Sequence, residues 1–403
     1  MAQATDQLGA TRASDSRVIA TVSAAHFVSH YYFLVLPPLF AFVRADYGVS
    51  YTELGFALAV FNVMSAILQT PAGFLVDRVG GRMPLFAALT LGGVAFAVVG
   101  LTHSFWLLVA MFGLAGVANA AYHPADYSLL SREVAPERAA QAYSVHTFAG
   151  MLGSAAAPVS LLFMQSLWGW RGAFLGAAAL GFAVALLIAL QPRQADAAPA
   201  GPRRDKPAAA AAGWRLLLSG PILLSLATFT LLAMINAGLQ SYSVVALGAL
   251  YGTEPVTANV ALTFYLLLAA AGVLAGGALA TRFQRHDLLA IAGLVAGGAA
   301  IALIVIGNPG NVPLIVIMAT IGFVTGIVMP SRDLLVRQVT PPGAFGTVFG
   351  FVTTGFNIAG VVGPLVFGLL MDHGEPQLVF VTCAAFCLLA AAAILPQRSK
   401  PAS

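Results

Sequence analysis

Histidine and aspartate side chains stand out in this sequence because they lie inside long apolar stretches. His26 and His30 are four residues apart, and His123 and Asp126 are three apart, so each pair shares one face of a helix. Histidine titrates near neutral pH, and an acid within an apolar segment can load and release a proton. These residues predict a proton-carrying site with Asp126 and His123 as its proton-coupling groups. Imidazoles bonded to backbone carbonyls, and Asp126 fixed in an ion pair, are the open alternatives.

Other polar side chains in the apolar stretches are predicted to contact a solute. Arg332 is the one basic residue placed in the interior of a predicted helix rather than at its end, and its planar guanidinium suits an anionic group. A polar side chain in a membrane helix is costly unless it faces a cavity or a partner, which makes each one a candidate contact. The predicted substrate-binding residues are His26, His30, Tyr31, Asn119, His123, Asn236, Gln240, Arg332 and Asn357.

Composition assigns these residues to a membrane protein. Of the 403 residues, 59 % are hydrophobic and 8 % are charged, whereas about a quarter of a soluble domain is charged. Apolar stretches of about 20 residues recur, and such stretches cross a bilayer as helices. A soluble protein is excluded, and an all-α membrane fold with twelve transmembrane helices in two pseudo-symmetric six-helix bundles is predicted. The predicted helices are 18–43, 50–76, 83–102, 104–131, 139–166, 171–190, 215–249, 256–281, 287–306, 311–337, 343–371 and 376–395.

The segment 191–214 divides these helices six and six. It is rich in Ala, Pro, Arg and Lys, so we expect a cytoplasmic linker between bundles at 18–190 and 215–395, with cytoplasmic tails at 1–17 and 396–403. When both termini are cytoplasmic, nearly all basic residues fall on the inner side, and only Arg44 and Arg171 fall outside. By the positive-inside rule this predicts a multi-pass protein of a bacterial-type inner membrane.

The two halves of the chain resemble each other around Pro124 and Pro330. PADYSLLSREVAP at 124–136 aligns with PSRDLLVRQVTP at 330–341, which places Asp126 and Arg332 at equivalent positions. We expect these opposite charges to face each other across the pseudo-symmetry axis and to close the cytoplasmic side of a cavity. Asp333 is expected to be neutralised by Arg337, four residues on.

The loop GFLVDRVGGR at 73–82 resembles the signature loop between helices two and three of the major facilitator superfamily. Glycine permits a tight turn and close helix approach, and an aspartate there can accept hydrogen bonds from an arginine or a helix N-terminus. The resemblance implies a monomer whose helices one, four, seven and ten line a central cavity. It also implies a conformational latch formed by Gly73, Asp77, Arg78, Gly80 and Arg82.

A narrower resemblance is to fosmidomycin-resistance-type exporters, through the histidines of helix one and the Tyr-His-Pro run of helix four. Helix five carries Gly150, Gly153 and Pro158, similar to the superfamily's antiporter motif, which favours export. His146, on the same glycine-rich face, is expected to pack between helices.

These features favour a secondary active transporter that exports a small organic anion, a metabolite or drug, in exchange for protons by alternating access. A proton-coupled uptake symporter and a solute sensor that does not transport remain alternatives. No Gly-rich phosphate loop ending in Gly-Lys-Ser/Thr and no H-E-x-x-H motif occurs, so neither a primary pump nor an enzyme is predicted, and no metal or cofactor is expected. The expected partners are the solute, protons and the lipid bilayer, and nucleic acid is not among them.

Overall fold

A computed structural model describes residues 2–191, 213–341 and 344–395, and within these ranges the regular structure is entirely helical. Most of the linker at 191–214 and the tail at 396–403 therefore lie outside the described residues. The helices are α1 (Ala2–Phe33), α2 (Phe40–Tyr47), α3 (Tyr51–Val79), α4 (Arg82–Leu101), α5 (Phe105–Glu133), α6 (Ala139–Leu190), α7 (Gly213–Leu217), α8 (Gly220–Tyr251), α9 (Pro255–Arg282), α10 (His286–Ile306), α11 (Asn311–Val339), α12 (Phe345–Asp372) and α13 (Pro376–Ile394).

Eleven segments within the described ranges are long and apolar enough to cross a membrane. The longest helix, α6, contains two of the predicted helices, because its 52 residues would extend about 78 Å as a straight rod against a hydrocarbon core of about 30 Å. Its backbone leaves helical geometry at Gly169, with φ 70° and ψ 172°, where glycine meets no Cβ penalty. This break divides α6 into two spans, as the predictions 139–166 and 171–190 require.

The first predicted helix, 18–43, was wrong at both ends. The helix begins at Ala2 and ends at Phe33, and a 3-10 turn at Pro37–Leu39 separates it from α2. Two consecutive prolines, Pro37 and Pro38, cause the interruption, because proline has no backbone donor for a continuing helix. The span Asp15–Tyr47 still has the length and hydropathy to cross a membrane as a broken helix.

The helices group into two compact units. In the first unit α1 packs on α6, and α4 packs on α5 and α6. In the second unit α8 contacts α9, α12 and α13, while α11 packs between α9 and α10. The residues Arg44–Ala59, from α2 and the beginning of α3, group with the second unit, whereas α3 from Val60 onwards groups with the first.

The two units repeat one close helix contact at equivalent positions. Gly116 precedes Pro124 by eight residues, and Gly322 precedes Pro330 by eight. A Cβ on Gly116 would lie 2.3 Å from the carbonyl oxygen of Phe61, and one on Gly322 would lie 2.0 Å from that of Tyr265. Small residues allow backbones to approach this closely in membrane bundles. The shared contact confirms that the units are related, as predicted from the alignment around the two prolines.

Candidate functional site

Three helices of the first unit bring a cluster of ionisable side chains together inside the bundle. Helix α1 supplies His26 and His30, α5 supplies His123 and Asp126, and α6 supplies His146. The imidazole of His26 is at the centre, with ring centroids 4.6 Å from His30, 5.2 Å from His123 and 3.7 Å from His146. These five side chains are called the histidine cluster below.

Asp126 is the only acid of the histidine cluster and is fully buried. Its Oδ2 atom lies 3.3 Å from Nδ1 of His26 and 3.5 Å from Nε2 of His146. These distances suit ion pairs, but the ring orientations do not satisfy hydrogen-bond geometry. Neither carboxylate oxygen of Asp126 has a hydrogen-bond partner among the described residues. A buried carboxylate without donors is costly, so its charge must be met by an ionised imidazole, a proton or another cation.

Glycines on α6 let α1 approach closely enough to build the histidine cluster. A Cβ on Gly150 would lie 2.5 Å from Cδ2 of His26 and 3.0 Å from Cδ2 of His30. A Cβ on Gly153 would lie 2.1 Å from the backbone oxygen of Phe27. His146, Gly150 and Gly153 recur at the i, i+4, i+7 spacing of one helix face. The two glycines therefore create the space that the rings of α1 occupy.

The two less buried histidines have separate partners. Nδ1 of His30 is 3.2 Å from the hydroxyl oxygen of Ser154 on α6. The ring of His123 stacks against Tyr127, one turn along α5, with centroids 6.3 Å apart. Both imidazoles also lie next to the ring of His26.

His146 is a site residue that the sequence did not reveal, since it was predicted only to pack between helices. It is buried and its Nε2 faces Asp126. Its position on the same face of α6 as Gly150 and Gly153 could have indicated this role. A helix face that lets a neighbouring backbone approach also brings the other side chains of that face into contact with the neighbouring helix. Tyr127 was missed as well, and its ring lies 5.6 Å from that of His146.

Two other predicted contacts of the first unit bond neighbouring helices. The hydroxyl of Tyr31 lies 2.9 Å from that of Ser160 on α6. The side-chain amide of Asn119 donates to the hydroxyl of Ser65 on α3 at 2.8 Å. Each polar group therefore has a protein partner, and its role toward a solute stays a prediction.

In the second unit, Asn236 and Gln240 belong to one hydrogen-bonded group. Oδ1 of Asn236 accepts from the Gln240 amide at 3.2 Å and from the Tyr265 hydroxyl at 2.8 Å. This arrangement brings together α8 and α9. Asn357, on α12, is exposed, and its role toward a solute stays a prediction.

Arg332 is a buried cation of the second unit. Its guanidinium carbon lies 3.9 Å from the ring centroid of Phe229, at cation–π distance. Nε donates to Oδ1 of Asp333 at 3.0 Å, and Nη1 has no hydrogen-bond partner among the described residues. The expectation that Asp333 pairs with Arg337 was wrong, because the side chain of Asp333 reaches back along α11 to its neighbour.

Arg332 also lines a cavity of about 10 Å³, which has room for about one water. Ser225, Thr228 and Phe229 contribute to the same wall. The ion-pair partner of Arg332 is in its own unit, as are those of Asp126. The predicted pairing of Arg332 with Asp126 stays a prediction.

The predicted loop at 73–82 is mostly helical, because α3 continues to Val79 and α4 begins at Arg82. Only the tight turn at residues 80 and 81 is present, and the glycine that makes the close approach is not Gly73. Gly80 has φ +80°, which an L side chain adopts only with strain. Gly73 has open space around it, whereas a Cβ on Gly81 would lie 2.7 Å from the carbonyl oxygen of Ala125 on α5. Gly81 is therefore the residue that lets the loop contact α5.

The charged residues Asp77, Arg78 and Arg82 differ in the contacts that they make with neighbouring helices. Asp77 is 3.8 Å from Nη2 of Arg132, and its side chain is 75 % exposed, so the pair contributes little in water. Arg82 donates to the backbone oxygens of Ile188, at 2.7 Å, and Gln191, at the end of α6. Arg78 is exposed.

Known proteins resemble this chain along nearly its whole length. The fosmidomycin resistance protein of Escherichia coli is 24 % identical over 380 residues, covering 92 % of this chain and 90 % of that protein. The probable sulfoacetate transporter SauU of Cupriavidus necator is 26 % identical over 391 residues, covering 88 % and 86 %.

Solved structures of transporters have the same fold. A bacterial homolog of the human lysosomal transporter Spinster, in an inward-facing and occupied conformation, aligns with a TM-score of 0.75 and 16 % identity over 96 % of this chain and 99 % of that one. The nucleoside transporter NupG aligns with a TM-score of 0.76 and 14 % identity over 95 % and 100 %. The family profile described as Major Facilitator Superfamily matches residues 22–332 and, in an overlapping match, 230–403. This all-α, multi-pass membrane protein therefore belongs to the Major Facilitator Superfamily.

Proposed function

We propose that this chain is a proton-coupled exporter of a small organic anion, a metabolite or drug, working by alternating access. The observation that carries the proposal is the fully buried carboxylate of Asp126, which lacks hydrogen-bond donors and lies within 3.5 Å of two imidazoles. Such a group in a membrane helix is expensive to maintain and is usually retained for function. A carrier of protons needs a side chain of this kind in this setting.

One proton on the histidine cluster balances its charge. If His26 or His146 is protonated, its imidazolium lies at ion-pair distance from the Asp126 carboxylate, 3.3 or 3.5 Å, and neutralises it. Loss of that proton leaves an unpaired buried charge, which strongly disfavours the same packing. Proton occupancy and the arrangement of α1, α5 and α6 are thereby linked. His123, which is less buried and 5.2 Å from His26 by ring centroids, would pass the proton to and from this pair.

Arg332 supports an anionic substrate. Its free Nη1 can donate to a carboxylate, sulfonate or phosphonate group, for which a guanidinium is well suited. The resemblance to a probable sulfoacetate transporter favours an organic anion, and the resemblance to a resistance protein favours export. Because the cavity beside Arg332 holds about one water, we infer that it opens when a substrate binds.

The remaining features fit the same proposal. The distribution of basic residues favours cytoplasmic termini for bundles at 18–190 and 215–395. The loop at 73–82 would act as the latch of one conformation, with Gly80 making its turn and Asp77 within ion-pair reach of Arg132. We propose that one copy of the chain carries out transport.

Purified protein in liposomes that enclose a pH-sensitive dye tests the function. Fosmidomycin or sulfoacetate added on one side should change the internal pH, and an imposed pH gradient should drive the anion uphill. Movement of anion and proton in opposite directions supports export by exchange, and movement in the same direction would establish uptake instead. Binding in a thermal-shift assay without any flux would indicate a sensor and contradict transport.

A further inference from the structure

The histidine cluster contains three potential metal-ligand atoms whose proximity no short sequence motif could predict. His26, Asp126 and His146 come from three helices, and one ligand atom of each lies within 4.8 Å of the others. Their exposed fractions are 5 %, 0 % and 1 %. Because 20 residues or more separate each of these positions from the next, no short sequence pattern joins them. The absence of H-E-x-x-H therefore gave no information about this place.

These atoms have no hydrogen-bond partners to compensate their burial. Nδ1 of His26, both oxygens of Asp126 and both ring nitrogens of His146 are unsatisfied among the described residues. Buried polar atoms are rarely left without partners, and a group of them at one point calls for a missing ligand. Two imidazole nitrogens and a carboxylate oxygen within 4.8 Å of one another suit a cation rather than an anion.

The spacing of the donors matches a transition-metal site. Zn²⁺ holds nitrogen and oxygen ligands at about 2.0–2.2 Å in a tetrahedron, so two ligand atoms stand roughly 3.3–3.5 Å apart. The separations from Asp126 Oδ2 are 3.3 Å to Nδ1 of His26 and 3.5 Å to Nε2 of His146. Two of the three donor–donor distances therefore match this spacing, and all three donor atoms lie within 4.8 Å of one another.

The donor set also selects the kind of metal. Imidazole nitrogen suits Zn²⁺, Co²⁺, Ni²⁺ and Cu²⁺, whereas Mg²⁺ and Ca²⁺ require mostly oxygen ligands. Two histidines and one carboxylate supply three ligands, the number found in zinc sites whose fourth ligand is a water molecule. The rings of His30 and His123 lie 4.6 and 5.2 Å from that of His26, so the surroundings are rich in additional imidazole.

We propose that His26, Asp126 and His146 form a binding site for one divalent transition-metal ion, Zn²⁺ being the best fit. The bound ion joins α1, α5 and α6 and fixes their packing. This site goes beyond transport of an anion, since metal binding requires neither a proton gradient nor an organic substrate.

Metal binding is measured on detergent-purified full-length protein that carries no polyhistidine tag and has been treated with a chelator. Titration with Zn²⁺ by calorimetry should give one site per chain, and the apparent melting temperature should rise with Zn²⁺ but not with Mg²⁺. His26→Asn, Asp126→Asn and His146→Asn should each weaken Zn²⁺ binding by at least about tenfold. His103→Asn is the matched control, because His103 is exposed between α4 and α5, and it should leave binding unchanged.

A second measurement does not depend on the variants folding. Co²⁺ added to the unmodified protein should give the strong visible absorption of tetrahedral coordination, and Zn²⁺ should remove it with one-to-one stoichiometry. Failure of Zn²⁺ to bind, a weak octahedral cobalt spectrum, or undiminished affinity in all three folded cluster variants would overturn the proposal. Liposome transport assays run in chelator are independent of this result, so the metal site and the proposed function can fail separately.

Discussion

Replacing Gly153 by alanine tests how closely α1 and α6 must approach to build the histidine cluster. The new Cβ would lie 2.1 Å from the backbone oxygen of Phe27, where ordinary contact begins at 3.4 Å, so the helices must separate by more than about 1 Å. A backbone oxygen cannot rotate away as a side chain can. Overpacking costs about 1–3 kcal/mol, and a contact with an immovable backbone oxygen falls in the upper part of that range, about 2–3 kcal/mol. After the gain of about 1 kcal/mol from replacing a helical glycine, we expect a net loss of about 1–2 kcal/mol.

The matched control for this change is Gly277→Ala on α9, where nothing lies within 4 Å of the added Cβ. Only the helix-propensity gain applies there, so this variant should be stabilised by about 0.5–1 kcal/mol. Melting temperatures in detergent should therefore fall for Gly153→Ala and rise for Gly277→Ala. Zn²⁺ binding should weaken only in the first, because His26 moves away from Asp126. A rise in melting temperature for Gly153→Ala would refute the packing argument.

Three further substitutions test separate parts of the structure. Asp372→Ala should lower the free energy of unfolding by about 1 kcal/mol. Its carboxylate accepts hydrogen bonds from the backbone N–H groups of Tyr51 and Thr52, each at 2.7 Å, at the beginning of α3. Chemical denaturation of Asp372→Ala, compared with Asp372→Asn, measures this loss. Arg82→Gln should destabilise by a similar amount, since the side chain bonds carbonyl oxygens at the end of α6, and an unchanged melting temperature would contradict that role. Arg332→Gln should abolish the thermal shift produced by sulfoacetate while the protein remains folded, and an undiminished shift would remove Arg332 from the binding site.

The helical framework was predictable because it follows from hydropathy and from residues that interrupt helices. Pro37 and Pro38 lie inside the first predicted helix, 18–43, and the 3-10 turn and separate α2 found there depend on local backbone geometry that hydropathy does not encode. The break at Gly169 was predictable, because it falls between the predicted helices 139–166 and 171–190. Helical geometry is retained on both sides of this single residue.

The site was only partly predictable, because close contacts between helices are not encoded at any fixed spacing. The shared faces of His26 with His30 and of His123 with Asp126 followed from helical periodicity. The contact of His146 with Asp126 arises from the approach of α6 to α1, which glycines permit but do not direct.

Charge partners were the least predictable feature. Asp333 was assigned to Arg337 from the i, i+4 rule, yet in the structure it contacts Arg332. Side-chain rotamers and the burial of Arg332 against Phe229 decide this choice, and neither is visible in a sequence. In the same way Gly81, rather than Gly73, makes the close contact of the 73–82 loop, since only the fold determines which glycine faces α5.

The role of Asp126 as the proton-carrying group is tested most directly by comparing two modes of transport in liposomes. In the Asp126→Asn variant, exchange of labelled for unlabelled anion at equal pH should continue, because it needs no net movement of protons. Uphill anion movement driven by a pH gradient should be lost, while the unmodified protein performs both. If Asp126→Asn still accumulates anion against its gradient at the unmodified rate, protons are not carried by this carboxylate and the account is wrong.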